Sequence, residues 1–193
     1  MPVPAYILAG GQSRRFGSDK ARAELRGEPL ITRLSRQLEE FASEIIIVAD
    51  RPDKYQNLGL TTIADRLPGQ GPLGGLETAL AHTLDQHGPG WILLASCDLV
   101  EIQANWIQEL TPDTNDKHRA RAFRNDIWHP FPGLYHTDVM TIVQEYLASP
   151  KASCQRLLSD PRTKTIPLPL PANWPVVPQV NTPEELERLK RED

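Results

Sequence analysis

Apolar positions along this chain occur in two rhythms, short unbroken runs and stripes at helical spacing, and the two alternate. Residues 6–9 form an apolar run that stops at Gly10-Gly11, as a buried strand stops at a turn. In EPLITRLSRQLEEFA, Leu30, Ile31, Leu34, Leu38 and Phe41 share one helical face, and Pro29 suits a first helical turn. EIIIVAD (44–50) is β-branched without alternation, the pattern of a strand covered on both faces. LTTIAD (60–65) predicts a third strand. PLGGLETALAHTLDQ puts Leu73, Leu76, Leu80 and Leu84 on one stripe, and WILLASCD (91–98) is again continuously apolar. The order strand, helix, strand, short helix, strand, helix, strand predicts an α/β sheet with parallel strands and right-handed crossovers. Ligands of such sheets sit at the carboxyl ends of the strands.

The later part is less regular. ARAFRND (120–126) and PFPGLYH (130–136) can add strands, antiparallel ones included. TDVMTIVQEYLAS reads as a helix with Val139, Ile142, Val143 and Tyr146 turned inward. Residues 166–180 concentrate prolines and so predict an extended segment, at most a sheet edge. In NTPEEL, Thr182 can cap a helix, Pro183 suits its first position and Glu185 completes a capping box. No repeat or long linker divides the chain, so one domain over residues 1–193 is expected.

Composition narrows the function classes. Apolar residues at 39% and charged residues at 24% fit a soluble globular chain, and no apolar stretch is long enough to cross a bilayer. The beginning of the chain lacks a basic leader with an apolar core, so a cytoplasmic location without a membrane partner is expected. Cys97 and Cys154 form no C-x-x-C pair and read as idle or buried thiols, and the five histidines lack metal-ligand spacing. A net charge of −4 speaks against nucleic acid as a partner. The distribution says more. Between Arg14 and Arg26, five cations against Asp19 and Glu24 give +3, which leaves −7 elsewhere. A local anion site fits that asymmetry.

The basic segment follows the first strand as ILAGGQSRRFGSDK. It matches neither G-x-x-x-x-G-K-[ST] nor G-x-G-x-x-G. The physical logic of those motifs still holds, because glycines let backbone N–H groups approach phosphates while Arg15 and Lys20 neutralise charge. Alone, a G-G turn is an ordinary strand-to-helix connection. The strand ends shift that balance: Asp50, Asp65 and Asp98 each follow a predicted strand. A carboxylate beside phosphate-binding residues suggests Mg²⁺, which takes one or two carboxylates plus substrate phosphates.

LAGGQSRRFGSDK resembles the L-A-G-G-x-S-x-R-M-G-x-D-K signature of the molybdenum cofactor guanylyltransferases (MobA type), within the nucleotidyltransferase superfamily. PLITRL, the AD before GPLGG, CD, HPFPGLY and VNTPEEL resemble the later motifs in the family's order, so the likeness covers almost the whole chain. It implies a three-layer Rossmann-like fold of the nucleotide-diphospho-sugar transferase kind, mostly parallel with helices on both faces. The nucleotide part would span about residues 1–110 and the acceptor part about 111–193. The implied reaction moves GMP from Mg-GTP to the phosphate of molybdopterin or molybdenum-molybdopterin, with release of pyrophosphate. Carried over residue by residue, Leu8, Ala9, Gly10 and Gly11 would cradle the nucleotide, and Arg15 and Lys20 would hold phosphates. Asp65 would contact the nucleotide and Asp98 would bind both Mg²⁺ and GTP, while His129, Pro130 and Asn181 fall on the acceptor side. Molybdenum cofactor insertion machinery and acceptor molybdoenzymes are the implied protein partners. Phe16, Val48, Val100 and Gln179 depart from the pattern, standing where methionine, asparagine, proline and asparagine are usual. The rival readings are a cytidylyltransferase for the same pterin, whose relatives usually carry L-A-A-G, a sugar or alditol phosphate transferase, and a nucleotide-binding module with a decayed site.

Overall fold

The computed structural model describes residues 2–10, 16–17, 19–112, 117–150, 152–175 and 179–191. In chain order β1 (Val3–Leu8) leads through a 3-10 turn at Lys20–Arg22 to a small hairpin of β2 (Glu24–Leu25) and β3 (Glu28–Pro29). Helix α1 (Leu30–Leu38), β4 (Ala42–Ala49), β5 (Thr62–Ala64), α2 (Gly71–His87) and β6 (Trp91–Ser96) follow. Then come α3 (Ala104–Leu110), β7 (Ala120–Arg124), β8 (Trp128–His136), α4 (Met140–Leu147), α5 (Cys154–Ser159), β9 (Thr165–Leu168) and α6 (Pro183–Leu189). One seven-stranded sheet has the order β5-β4-β1-β6-β8-β7-β9. β1 pairs parallel with both β4 and β6, with Leu8 opposite Val48 on one side and Ser96 on the other. β8 runs antiparallel to β6 and to β7, and the edge strand β9 is parallel to β7. β7 thus runs in the direction of β1, and β8 alone opposes the rest of this sheet.

The continuous apolar runs form these strands because helices cover both faces. Successive strand side chains alternate between faces. Tyr6 and Leu8 point toward α2: the Tyr6 hydroxyl lies 2.8 Å from Thr83 Oγ1 and 2.9 Å from His82 Nδ1. A Cβ on Gly75 would stand 2.8 Å from Leu8 Cδ2, so that glycine sets how closely α2 lies on the sheet. α1 buries Leu30, Ile31, Leu34 and Leu38, as its spacing predicts. A second, smaller apolar cluster joins Leu25, Leu30, Val180 and Leu186. It seats the C-terminal helix beside the end of β6, where Val180 N donates to Asp98 O at 2.8 Å.

Several expectations need correction. Pro29 has an extended backbone (ψ 138°) and is the N-cap of α1, not part of its first turn; the helix ends at Leu38, before Phe41. Leu84 is 37% exposed, since only the part of α2 up to Thr83 is buried in its surroundings. Tyr146 is half-buried and turns its hydroxyl to Asp160. The short helices α3 and α5 and the β2–β3 hairpin carry too few residues for a readable period. The proline-rich stretch does supply the sheet edge, with Pro167 in β9, where a missing N–H is tolerated. The capping box of α6 forms, with Thr182 Oγ1 accepting from Glu185 N and Glu185 Oε2 accepting from Thr182 N, both at 3.2 Å. Cys97 and Cys154 are buried free thiols. No helix among the described residues is long and apolar enough to cross a membrane.

Gly74 holds the 65–70 loop flush on α2: a Cβ there would lie 2.9 Å from Leu67 O and from Gln70 Cβ. Helix propensity favours alanine by about 1 kcal/mol, but the backbone clash opposes it with about 1–3 kcal/mol or more. Gly74→Ala is expected to lower Tm by about 2–6 °C in thermal denaturation; a raised Tm would mean that the loop yields freely.

Candidate active site

The parallel ladder runs past the strands and fixes the residues that follow them. Ala9 N donates to Val48 O at 2.9 Å, Cys97 N to Leu8 O at 3.0 Å, and Asp65 N to Ala49 O at 2.6 Å. Four strand ends, those of β5, β4, β1 and β6, are thereby held side by side. They open onto one cleft that Leu8, Ala9, Gly10, Lys20, Asp65 and Asp98 line together. The N-terminus of α2, Gly71–Pro72, faces the same space, and its N-cap residue, Gln70, makes no side-chain capping bond. Its positive dipole end favours an anion there.

Lys20 enters from the 3-10 turn. Its Nζ lies 3.2 Å from Asp98 Oδ2, with the two side chains 15% and 17% exposed. Asp98 Oδ1 is buried and has no hydrogen-bond partner among the described residues. A buried carboxylate oxygen without a donor is costly, and a cation at that atom removes the cost. Among the described residues no group of three or more His, Cys, Asp or Glu side chains could hold a metal by themselves. One carboxylate with an open oxygen fits a hard cation that draws its other ligands from a substrate's phosphates. Asp65 turns Oδ1 to Leu67 N and the Thr78 hydroxyl, each at 3.0 Å. A Cβ on Gly10 would sit 3.8 Å from Asp65 Oδ2 and from Val48 O, ordinary contact, so the backbone does not demand glycine here. An alanine methyl would fill the space beside Asp65.

Of the three strand-end aspartates, the cleft takes Asp65 and Asp98. Asp50 is 61% exposed and belongs to Lys54, whose Nζ lies 2.7 Å away; that hydrogen bond holds its carboxyl below the usual range. Gly11 and Arg15 lie outside the described residues. Val48 lines the cleft, Val100 packs on the small apolar cluster, and Gln179 bridges to Leu99. His129 stands on β8 in a T-shaped contact with the Trp174 ring, and burial lowers its pKa. β8 begins at the end of the sheet where β6 finishes, since Leu94 faces Gly133 in antiparallel register.

Sequence reasoning missed the support beneath Lys20. Asp19 caps the 3-10 turn by accepting from Ala21 N at 3.1 Å. It also accepts from the buried Tyr55 hydroxyl at 3.0 Å and lies 3.4 Å from Lys54 Nζ. Burial, then the neighbouring Asp19 carboxylate, push the Tyr55 phenol far up, so it stays a donor. Arg22 caps the group, donating to Lys54 O at 2.6 Å and Asn57 Oδ1 at 2.8 Å. The i,i+4 spacing of Asp50 and Lys54 was a readable signal; nothing local marks Tyr55. Cys97 also lines the cleft, but burial raises its thiol to about 12, so it is protonated and inert.

The parallel sheet with one opposed strand and a charged cleft at its carboxyl end is that of the α/β nucleotidyltransferase fold. The crystal structure of molybdopterin-guanine dinucleotide biosynthesis protein A from Archaeoglobus fulgidus has this fold, at TM-score 0.80 over 98% of both chains and 19% identity. The chain belongs to the family described as the MobA-like NTP transferase domain, whose model matches residues 5–165. A relative from Synechococcus elongatus, named a probable molybdenum cofactor guanylyltransferase, is 34% identical over 98% of this chain and 99% of its own. One of the same name from Opitutus terrae is 30% identical over 96% and 93%.

The Asp19–Tyr55 contact predicts a stability effect. Tyr55→Phe removes a buried hydrogen bond to a charged group, a loss of about 1.5–3 kcal/mol, and should lower Tm by about 3–12 °C. Calorimetry showing an unchanged Tm would remove Tyr55 from the support of Lys20.

Proposed function

We propose that this protein transfers GMP from Mg-GTP to the phosphate of molybdopterin or molybdenum-molybdopterin, giving the guanine dinucleotide and pyrophosphate. The observation that carries the reading is the Lys20–Asp98 pair with its open Asp98 Oδ1, set opposite Asp65 in one cleft of a MobA-like chain. The names of the full-length relatives support the choice of reaction.

In this reading Leu8, Ala9, Gly10 and Gly11 cradle the nucleotide, Asp65 contacts it, and Arg15 and Lys20 hold phosphates. Asp98 is the metal ligand. A bound Mg²⁺ would neutralise phosphate charge and stabilise the departing pyrophosphate. The acceptor phosphate has a second pKa of about 6 and is largely dianionic at neutral pH, so the chain need not supply a general base. Its work is to hold two anions in line: an acceptor oxygen bonds to the α-phosphorus as the α–β phosphoanhydride breaks. Lys20 and the N-terminus of α2 offset the charge that gathers as pyrophosphate leaves.

The same reading assigns residues 1–193 to one nucleotidyltransferase domain, with a nucleotide part of about 1–110 and an acceptor part of about 111–193. His129, Pro130 and Asn181 lie on the acceptor side. It places the protein in the cytoplasm, upstream of molybdenum cofactor insertion machinery and acceptor molybdoenzymes.

The purified protein with Mg²⁺ and molybdopterin should release pyrophosphate with GTP and not with ATP, CTP or UTP. Equal or greater turnover with CTP would replace the guanylyl assignment by a cytidylyl one, and release with none would favour a decayed module. Asp98→Ala should cut turnover by at least about 100-fold with the Tm nearly unchanged. A variant that simply unfolds would make Asp98 structural and take away the metal role.

A further inference from the structure

Two buried hydroxyls of α1 and α2 donate back to their own helix. Ser35 Oγ donates to Ile31 O at 2.8 Å and Thr83 Oγ1 to Ala79 O at 3.0 Å, the common i−4 habit of such residues. Thr78 differs. It lies in α2, 1% exposed, outside the residues that line the cleft. Its hydroxyl leaves the helix, donating to Asp65 Oδ1 at 3.0 Å while accepting from Arg66 N at 2.9 Å. Leu67 N donates to the same oxygen, Oδ1, at 3.0 Å.

Both bonds to the Asp65 carboxylate therefore fall on one oxygen. The other, Oδ2, is the one beside Gly10 and receives no hydrogen bond among the described residues. A carboxylate on a loop exchanges its two oxygens by rotating about χ2. Two donors on Oδ1 arrest that rotation and leave Oδ2 toward the cleft. The adjacent residue reinforces the arrangement. Glu77 is 3% exposed, and its Oε1 takes Arg66 Nη1 at 3.5 Å and Gln144 Nε2 at 3.4 Å. Consecutive residues of α2 thus latch consecutive residues of the loop.

Given the proposed contact of Asp65 with the nucleotide, on which this step rests, we infer that Thr78 is a positioning residue for nucleotide binding. Its hydroxyl selects which Asp65 oxygen faces the nucleotide and holds it there before the ligand arrives. A serine can do the same; a valine of equal shape cannot.

The test is GTP binding to the full chain with Mg²⁺ by titration calorimetry, beside steady-state kinetics with molybdopterin. Thr78→Val is expected to weaken GTP binding about tenfold and raise KM for GTP to match, with kcat changed less than about threefold. Thr78→Ser is expected to recover affinity to within about twofold, and Ser35→Ala, which removes a hydroxyl that bonds only to its own helix, to leave GTP affinity unchanged. In an Asp65→Ala background, Thr78→Val should add no further loss, because the two residues act through one interaction. Native-like affinity in Thr78→Val, equal weakening in Thr78→Ser, or additive losses in the double variant would overturn the inference while leaving Asp65 a nucleotide contact. Full GTP affinity in Asp65→Ala would overturn that contact and, with it, the role of Thr78.

Discussion

Everything at the cleft depends on the backbone ladder that β1 shares with its two parallel neighbours. The hydrogen bonds from Ala9 N to Val48 O and from Cys97 N to Leu8 O extend that ladder beyond the last strand residues. Residues 8–10 and 97–98 are thus placed by the most buried part of the sheet rather than by loop packing. Parallel strands all end on one side, so the sheet that buries Ile7, Ile47 and Leu94 also delivers Asp65 and Asp98 to a common edge.

Close approach of α2 to that edge is the second condition. Gly75 admits Leu8 and Gly74 admits the carbonyl of Leu67, so the helix can meet both β1 and the Asp65 loop. Its N-terminus then faces the cleft, and Thr78 and Glu77 reach residues 65 and 66. One helix therefore links strand packing, dipole placement and carboxylate orientation.

The strands and the helix stripes were legible because burial on two faces leaves an unbroken apolar run and burial on one side leaves a 3.6-residue period. Residues 44–50 and 91–98 show the first and α1 the second. Elements with fewer residues than two helical turns, α3 and α5, carry no period and were missed. Leu84 fits its stripe in sequence, yet the burial of α2 ends at Thr83, a limit set by tertiary surroundings. At the site, chain position identified Asp65, Asp98 and Lys20. It also offered Asp50, and only the placement of Lys54 separates that residue from the other two. Tyr55 and Thr78 act through contacts 36 and 13 residues distant, which no local pattern records.

Charge at the cleft constrains the form of its ligand. Asp19, Asp65 and Asp98 line the cleft together with Lys20, and Lys20 is already paired with Asp98. Lys54 is held by Asp50 and Asp19, and Arg22 by Lys54 O and Asn57. In the proposed reading Lys20, Arg15 and the α2 dipole attract the phosphates, while the open oxygen of Asp98 would repel any phosphate brought against it. In the same reading a divalent cation at the open Asp98 oxygen would turn that repulsion into attraction. It would do so by also binding the phosphates, because the described residues offer too few ligands of their own. Metal and nucleotide must then strengthen each other's binding by the same factor. In that reading the cleft suits the metal–nucleotide complex as a unit, and the placement of Asp98 at the end of β6 is what would make the coupling possible.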